Sequence, residues 1–187
     1  MESQKNKLFS KEALEFSPDE KDVFIKIDGK GQQRLIFSEP VPLTEEEEKK
    51  LTELRAFITE KNHSLPEGYD DASRLILRFF QGAAWDKEKT VQWVKAHHEF
   101  MKPHKGLALE DVSFYLSQGF VYGFKRDLRH RPLIFINVER LVKANLELED
   151  LIRVCVYFLD YVADNALLPA KIENWFVIID CKNVGIT

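Results

Sequence analysis

Asp180 closes an unbroken apolar run, Trp175-Phe176-Val177-Ile178-Ile179. An acid at the end of such a strand can hold a metal beside bound phosphates, but that chemistry also needs a Gly-x-x-x-x-Gly-Lys-Ser/Thr loop, and the sequence contains none. Asp180 is therefore read as capping the following turn or pairing with Lys182. The His97-His98 pair raises a metal site. No further His, Cys or Asp stands at ligand spacing on the same helix, and Glu99 is adjacent rather than a turn away. The expectation is a solvent-facing His97 and a half-buried His98. Cys155 and Cys181 lie inside apolar runs without a partner motif, and both read as small packed hydrophobes in a reducing compartment. No Ser-His-Asp arrangement is evident. The residues thus point away from an enzyme and imply no metal and no cofactor. Lys125, Arg126, Arg129, His130 and Arg131 form a basic cluster. It reads as a charged hairpin tip, able to meet anionic headgroups at about 1 kcal/mol per basic residue.

Composition sets the frame for these residues. The chain has 187 residues, 44% hydrophobic and 31% charged, as expected of a globular protein with one substantial core or a core and a smaller appendage. The net charge of -4 gives no support to a nucleic-acid footprint. The N-terminal Met1-Glu2-Ser3-Gln4-Lys5 lacks the apolar core of a signal peptide, and no run approaches the length of a membrane span. The expected location is the cytoplasm.

The elements that must position any site are read from periodicity. Residues 1–21 are polar with scattered apolar points, and are expected to be poorly ordered or loosely docked. Val23, Ile25 and Ile27 alternate with polar or aromatic neighbours, Asp28-Gly29 marks a turn, and Leu35-Ile36-Phe37 is expected as the second strand of a hairpin. Thr44-Glu45-Glu46-Glu47 is a capping box opening a helix with a Leu51, Leu54, Ile58 stripe. Asp70 or Asp71 is expected to cap a second helix carrying Leu75, Ile76, Phe79 and Phe80, and Asp86 a third carrying Val91, Val94 and His98. A short helix is expected over Leu109 to Leu116. Phe120, Tyr122 and Phe124 alternate as a strand, and Pro132 to Val138 reads as another. A helix over Glu147 to Asn165, with Leu151, Cys155, Phe158 or Leu159, and Val162 on its buried face, leads to the last strand. Strand, helix, strand is a βαβ crossover with its two strands parallel. The unbroken Trp175–Ile179 run predicts a strand covered on both faces.

Three patches carry a resemblance to the CRAL-TRIO lipid-binding family, which includes retinaldehyde-binding, tocopherol-transfer and phosphatidylinositol-transfer proteins. Leu43-Thr44-Glu45-Glu46-Glu47-Glu48 through Arg55 resembles the capped helix that opens the family's N-terminal bundle. Asp71 through Thr90, with Trp85 at the aromatic position and Asp86 at the cap, resembles the family's Leu-Leu-Arg-Phe signature. Arg131-Pro132-Leu133-Ile134 and then Glu173 to Ile186 resemble its Gly-Arg-Pro strand and its Asp-x-Lys-Gly strand. His130 replaces the glycine before Arg-Pro, and Asn183 replaces the glycine after Asp-x-Lys.

The resemblance implies an α/β fold: an N-terminal helical bundle, then the first βαβ part of a mainly parallel sheet, cut short after Thr187. The expected organisation is an extension with a hairpin over 1–42, a helical bundle over 43–105, and a partial lipid-binding domain over 106–187. It also implies a non-catalytic carrier of a hydrophobic lipid that meets membranes transiently, with a phosphoinositide as one such lipid. The gate and headgroup site of the family fall beyond this sequence, so the chain alone is not expected to transfer lipid. An apolar cavity needs a floor with few polar groups. Tyr122, Ile134, Ile136, Phe158, Val177 and Ile179 are the candidates for it, and the alternative is that they only pack the core. An uncovered sheet edge would invite a homodimer. A second reading, from relatives of this fold that act as scaffolds, is a protein-interaction module.

Overall fold

The structure, a computed structural model, describes residues 9–29 and 31–184. It divides into two compact units: Pro18 to Pro103, and the N-terminal residues up to Ser17 together with the stretch from His104 onward.

In the first unit a four-residue helix (α2, Glu20–Val23) leads into β1 (Phe24–Ile27), which pairs antiparallel with β2 (Gly31–Arg34). The second strand is thus Gly31 to Arg34, not Leu35 to Phe37. Ile36 and Phe37 are instead buried, and Phe37 joins the core formed by Leu51, Leu54, Ile76, Leu77 and Phe80. The hairpin is no free extension. Arg34 donates its backbone N–H to Gln81 Oε1 (2.8 Å), and Gln81 Nε2 returns a bond to Arg34 O (3.2 Å). The guanidinium of Arg34 also grips Glu47. These bonds tie the hairpin to the helices within the Pro18–Pro103 unit.

Helix α3 (Glu45–Glu60) opens on the expected capping box: Glu47 N–H donates to Thr44 Oγ1 at 3.2 Å, and Thr44 N–H to Glu47 Oε2 at 2.9 Å. Helix α4 (Leu75–Gly82) differs from expectation. Its N-cap is Arg74 in a left-handed conformation (φ +52°), with no side-chain cap. Asp70 is spent on a two-point pair with Arg55 (2.9 Å each), and Asp71 accepts from Ser73. Helix α5 (Lys87–Met101) is capped by Asp86 as expected and buries Thr90, Val91 and Val94. His97 is half-buried rather than solvent-facing, its Nδ1 2.6 Å from the Tyr69 hydroxyl.

The second unit begins at the N-terminus with α1 (Lys11–Glu15). Residues 9–16 are docked, not loose. Phe9 and Ala13 are buried with Ile172, and Lys171 Nζ donates to Leu14 O at 2.6 Å. Residues 1–8 of the segment expected to be poorly ordered lie outside the described residues. Helix α6 (Leu109–Leu116) precedes β3 (Val121–Arg126) and β4 (Pro132–Asn137). A helix the patterns did not announce, α7 (Val138–Ala144), follows directly, its N-terminus capped by Asn137, which accepts from Arg140 N–H. Helix α8 (Leu148–Ala166) then leads to β5 (Phe176–Asp180).

The sheet is mixed, in the order β3-β4-β5. β3 and β4 are antiparallel, and β4 and β5 parallel, as the crossover requires. The buried face of α8 is Val154, Val156, Phe158 and Val162, while Cys155 and Leu159 are exposed. Phe158 and Val162 are buried as expected, and Val154 rather than Cys155 continues their i, i+4 line on the helix. Cys181 is exposed too, so neither cysteine packs as a core hydrophobe.

β5 departs most from expectation. All five residues are exposed rather than covered on both faces. Among the described residues β5 pairs only with β4, and α8 packs over β3 and β4. Trp175 precedes the strand and packs beside Ile134, Phe158 and Val162.

Candidate functional site

Directly paired residues of neighbouring strands share a face. Ile134 pairs with Val177 and Ile136 with Ile179, so these four point to one side of the sheet. Helix α8 lies on that side. Ile134, Phe158 and Val162 form its buried centre, with Val121, Ile136 and Ala166 packed around it. Tyr122 is on the other face, 45% exposed, its ring stacked on Phe135 with centroids 5.3 Å apart.

Between α8 and the β3–β4 hairpin lies a cleft of about 660 Å³. Ile134, Phe158, Val162 and Ala166 give it an apolar floor, and Tyr161 and Asn165 add polar atoms from α8. Its volume falls within the range of about 300–1,000 Å³ typical of small-molecule sites. Of the six residues expected to floor a cavity, Ile134 and Phe158 line this cleft. Ile136 packs in the same cluster, Val177 and Ile179 stand exposed one strand away on the same face, and Tyr122 faces away.

The mouth of the cleft is made by the basic hairpin. Lys125, Arg126, Asp127 and His130 line it, and Ser10 contributes from the N-terminal segment. Asp127 is fully engaged. Its Oδ2 accepts from Arg131 Nε (2.7 Å) and Nη2 (2.6 Å), and its Oδ1 from the backbone N–H groups of Arg129 and Arg131. Burial pushes the Asp127 carboxyl up, but the bonds from Arg131 outweigh it and the acid lies below its usual range. Among the described residues Arg126 has no acidic partner. Its Nη1 donates to the His130 carbonyl at 2.7 Å, and its guanidinium lies 4.8 Å from the centre of the Phe9 ring. Burial alone lowers its pKa.

In the sequence this cluster has the pattern of a hairpin tip, and its spacing does not mark Arg126 as a cleft residue. The signal that was legible was the glycine in Tyr122-Gly123-Phe124, since a glycine inside a strand often marks a bulge. His130 takes φ +59° and Asn183 φ +63°. Both positions are thus left-handed, the conformation glycine adopts most easily.

Among the described residues no helix is long and apolar enough to cross a membrane. No curated protein matches the chain. Residues 116–187, which carry β3, β4, α7, α8 and β5 and so every wall of the cleft except Ser10, match the model of the CRAL/TRIO domain family.

Proposed function

We propose that this chain is a non-catalytic lipid-binding protein that takes the acyl or isoprenoid part of a lipid into the cleft between α8 and the β3–β4 hairpin. The observation that carries the reading is a cleft of about 660 Å³ floored by Ile134, Phe158, Val162 and Ala166, inside the residues that match the CRAL/TRIO domain. A carrier needs a dry wall and few polar groups, and these four side chains bring no polar atom to the floor. In the finer form of the proposal the protein acts in the cytoplasm, meets membranes transiently, and collects its lipid there, with phosphatidylinositol as one such lipid. The test is incubation with mixed-lipid vesicles, re-isolation of the protein, and mass spectrometry of its organic extract. Near-stoichiometric lipid is expected, and an empty extract contradicts the proposal.

A second reading has its own observation. The face opposite the cleft presents Tyr122, Phe176 and Ile178, all exposed, with Tyr122 stacked on Phe135. Such a surface suits a protein-interaction scaffold. Partner capture that is unchanged by delipidation, and lost in Tyr122→Ser, favours it. The edge of β5 that pairs with no other strand among the described residues also makes a homodimer part of the proposal. Light scattering that shows a monomer at every concentration removes that part.

A further inference from the structure

β3 carries a bulge that turns Arg126 toward the cleft. Gly123 pairs with Ile134, but the next pair is Arg126 with Pro132, so Phe124 and Lys125 together stand opposite Leu133 alone. In an unbroken strand Lys125 would share the face of Val121 and Gly123, and Arg126 would point the other way. The extra residue reverses this. Pro132 and Ile134 share a face, so Arg126, paired with Pro132, comes round to the side of Ile134 and α8. Lys125 absorbs the irregularity with φ +61°. Bulges re-aim side chains in this way beside functional sites.

We propose that the cleft selects amphiphiles with an anionic head, a carboxylate or a phosphate, and that Arg126 is the cation that binds it at the mouth. The inference rests on the lipid-binding reading and adds the chemistry of the head. Arg126 lines the cleft together with Ile134 and Phe158, so charge and apolar floor meet in one site. Among the described residues no carboxylate lies within ion-pair distance of it. Its only partners are the His130 carbonyl and the Phe9 ring. The acid beside it in sequence, Asp127, is held by Arg131. Glu12, close enough to His130 to feel its charge, is on α1 and exposed. A half-buried guanidinium without an acid has lost hydration and gained little in return, and an incoming anion restores two strong bonds. Exposed Lys125 at the same mouth adds a second charge, and Ser10 and Asn165 add polar atoms.

The experiment compares cis-parinaric acid with its uncharged methyl ester in fluorescence titrations. The unmodified protein is expected to bind the acid at least about tenfold more tightly than the ester, the scale of one charged hydrogen-bonded contact. Arg126→Gln should bring the ratio close to one with ester binding retained. Arg126→Lys should keep most of it, and Lys125→Gln should lose a smaller part. Inorganic phosphate should compete weakly, because it lacks the tail. Equal binding of acid and ester by the unmodified protein overturns the inference while leaving lipid binding in place. A preference that survives Arg126→Gln overturns the role of Arg126. Full displacement by phosphate means a simple anion site and also overturns it. Failure of both probes to bind removes the lipid-binding reading itself and this inference with it. Circular dichroism melts of each variant separate lost binding from lost folding, and the acid-to-ester ratio of the unmodified protein stands even if a variant unfolds.

Discussion

The guanidinium of Arg34 holds the carboxylate of Glu47 at two points, Nε to Oε1 at 2.7 Å and Nη2 to Oε2 at 2.6 Å, and both side chains are buried. The remaining Arg34 donors reach the carbonyls of Ile36 (2.9 Å) and Pro42 (2.9 Å). One ion pair thus joins the hairpin, the segment after it and the capped start of α3. Such a pair is costly to break singly, because the survivor is a buried charge without a partner. Arg34→Ala should destabilise the unit by about 3–5 kcal/mol, whereas Arg34→Met with Glu47→Leu should come close to neutral. Urea unfolding of the single and double variants checks this.

The same pair sets a pH dependence. Burial pushes the Glu47 carboxyl up, but the hydrogen bonds from Arg34 and Thr44 and the charge of Arg34 outweigh it, leaving its pKa below the ordinary value. A depressed carboxyl contributes stability that is present above its unfolded pKa and lost as pH falls through the folded one. The urea midpoint should therefore fall as pH drops below about 4, and the Met/Leu double variant should show a flatter profile over that window. Identical profiles would mean that Glu47 is not held as an ion.

Ile134 and Ile179 share one face of the sheet, yet they are 2% and 58% exposed. Ile134→Ala should cost about 2–5 kcal/mol through lost transfer and the cavity left behind. Ile179→Ala should stay within about 0.5 kcal/mol. A large cost at Ile179 would show that a second copy or another partner covers β5 in solution.

The left-handed turns at His130 and Asn183 give a further expectation. Asn183→Gly should be neutral or stabilising by up to about 1 kcal/mol, since the position already demands glycine's conformation, although the bond from Asn183 Nδ2 to Glu139 (2.9 Å) is lost. Thermal melts read the sign. His130→Gly should gain less, because it also removes a ring 5.2 Å from that of Phe16.

Local signals read well where one residue type serves one local purpose. Thr44 with Glu47, and Asp86, announced their helices because capping is a short-range bond between near neighbours. Pro132 to Asn137, α8 and β5 were legible as a crossover because their periods differ so sharply. Long-range choices were not legible. Ile36 and Phe37 looked like a strand because apolar β-formers suit a core loop equally well. Asp70 and Asp71 looked like caps, but Arg55 and Ser73 claimed them. The apolar run of β5 speaks of burial without saying what supplies it. At the cleft, the aliphatic floor could be nominated by type, but Tyr122 was assigned without knowing its face. Arg126 was missed because its direction depends on the bulge, and a bulge is visible only in the pairing register.

The central claim is that lipid occupies the cleft between α8 and the β3–β4 hairpin. The direct measurement is photo-crosslinking with a fatty acid carrying a diazirine in its chain, followed by mass spectrometry of the digested protein. The account predicts crosslinks concentrated on α8 at Phe158, Tyr161, Val162 and Ala166, suppressed by excess unlabelled fatty acid. Crosslinks spread over the surface, or gathered on the opposite face around Tyr122 and Phe176, would contradict it.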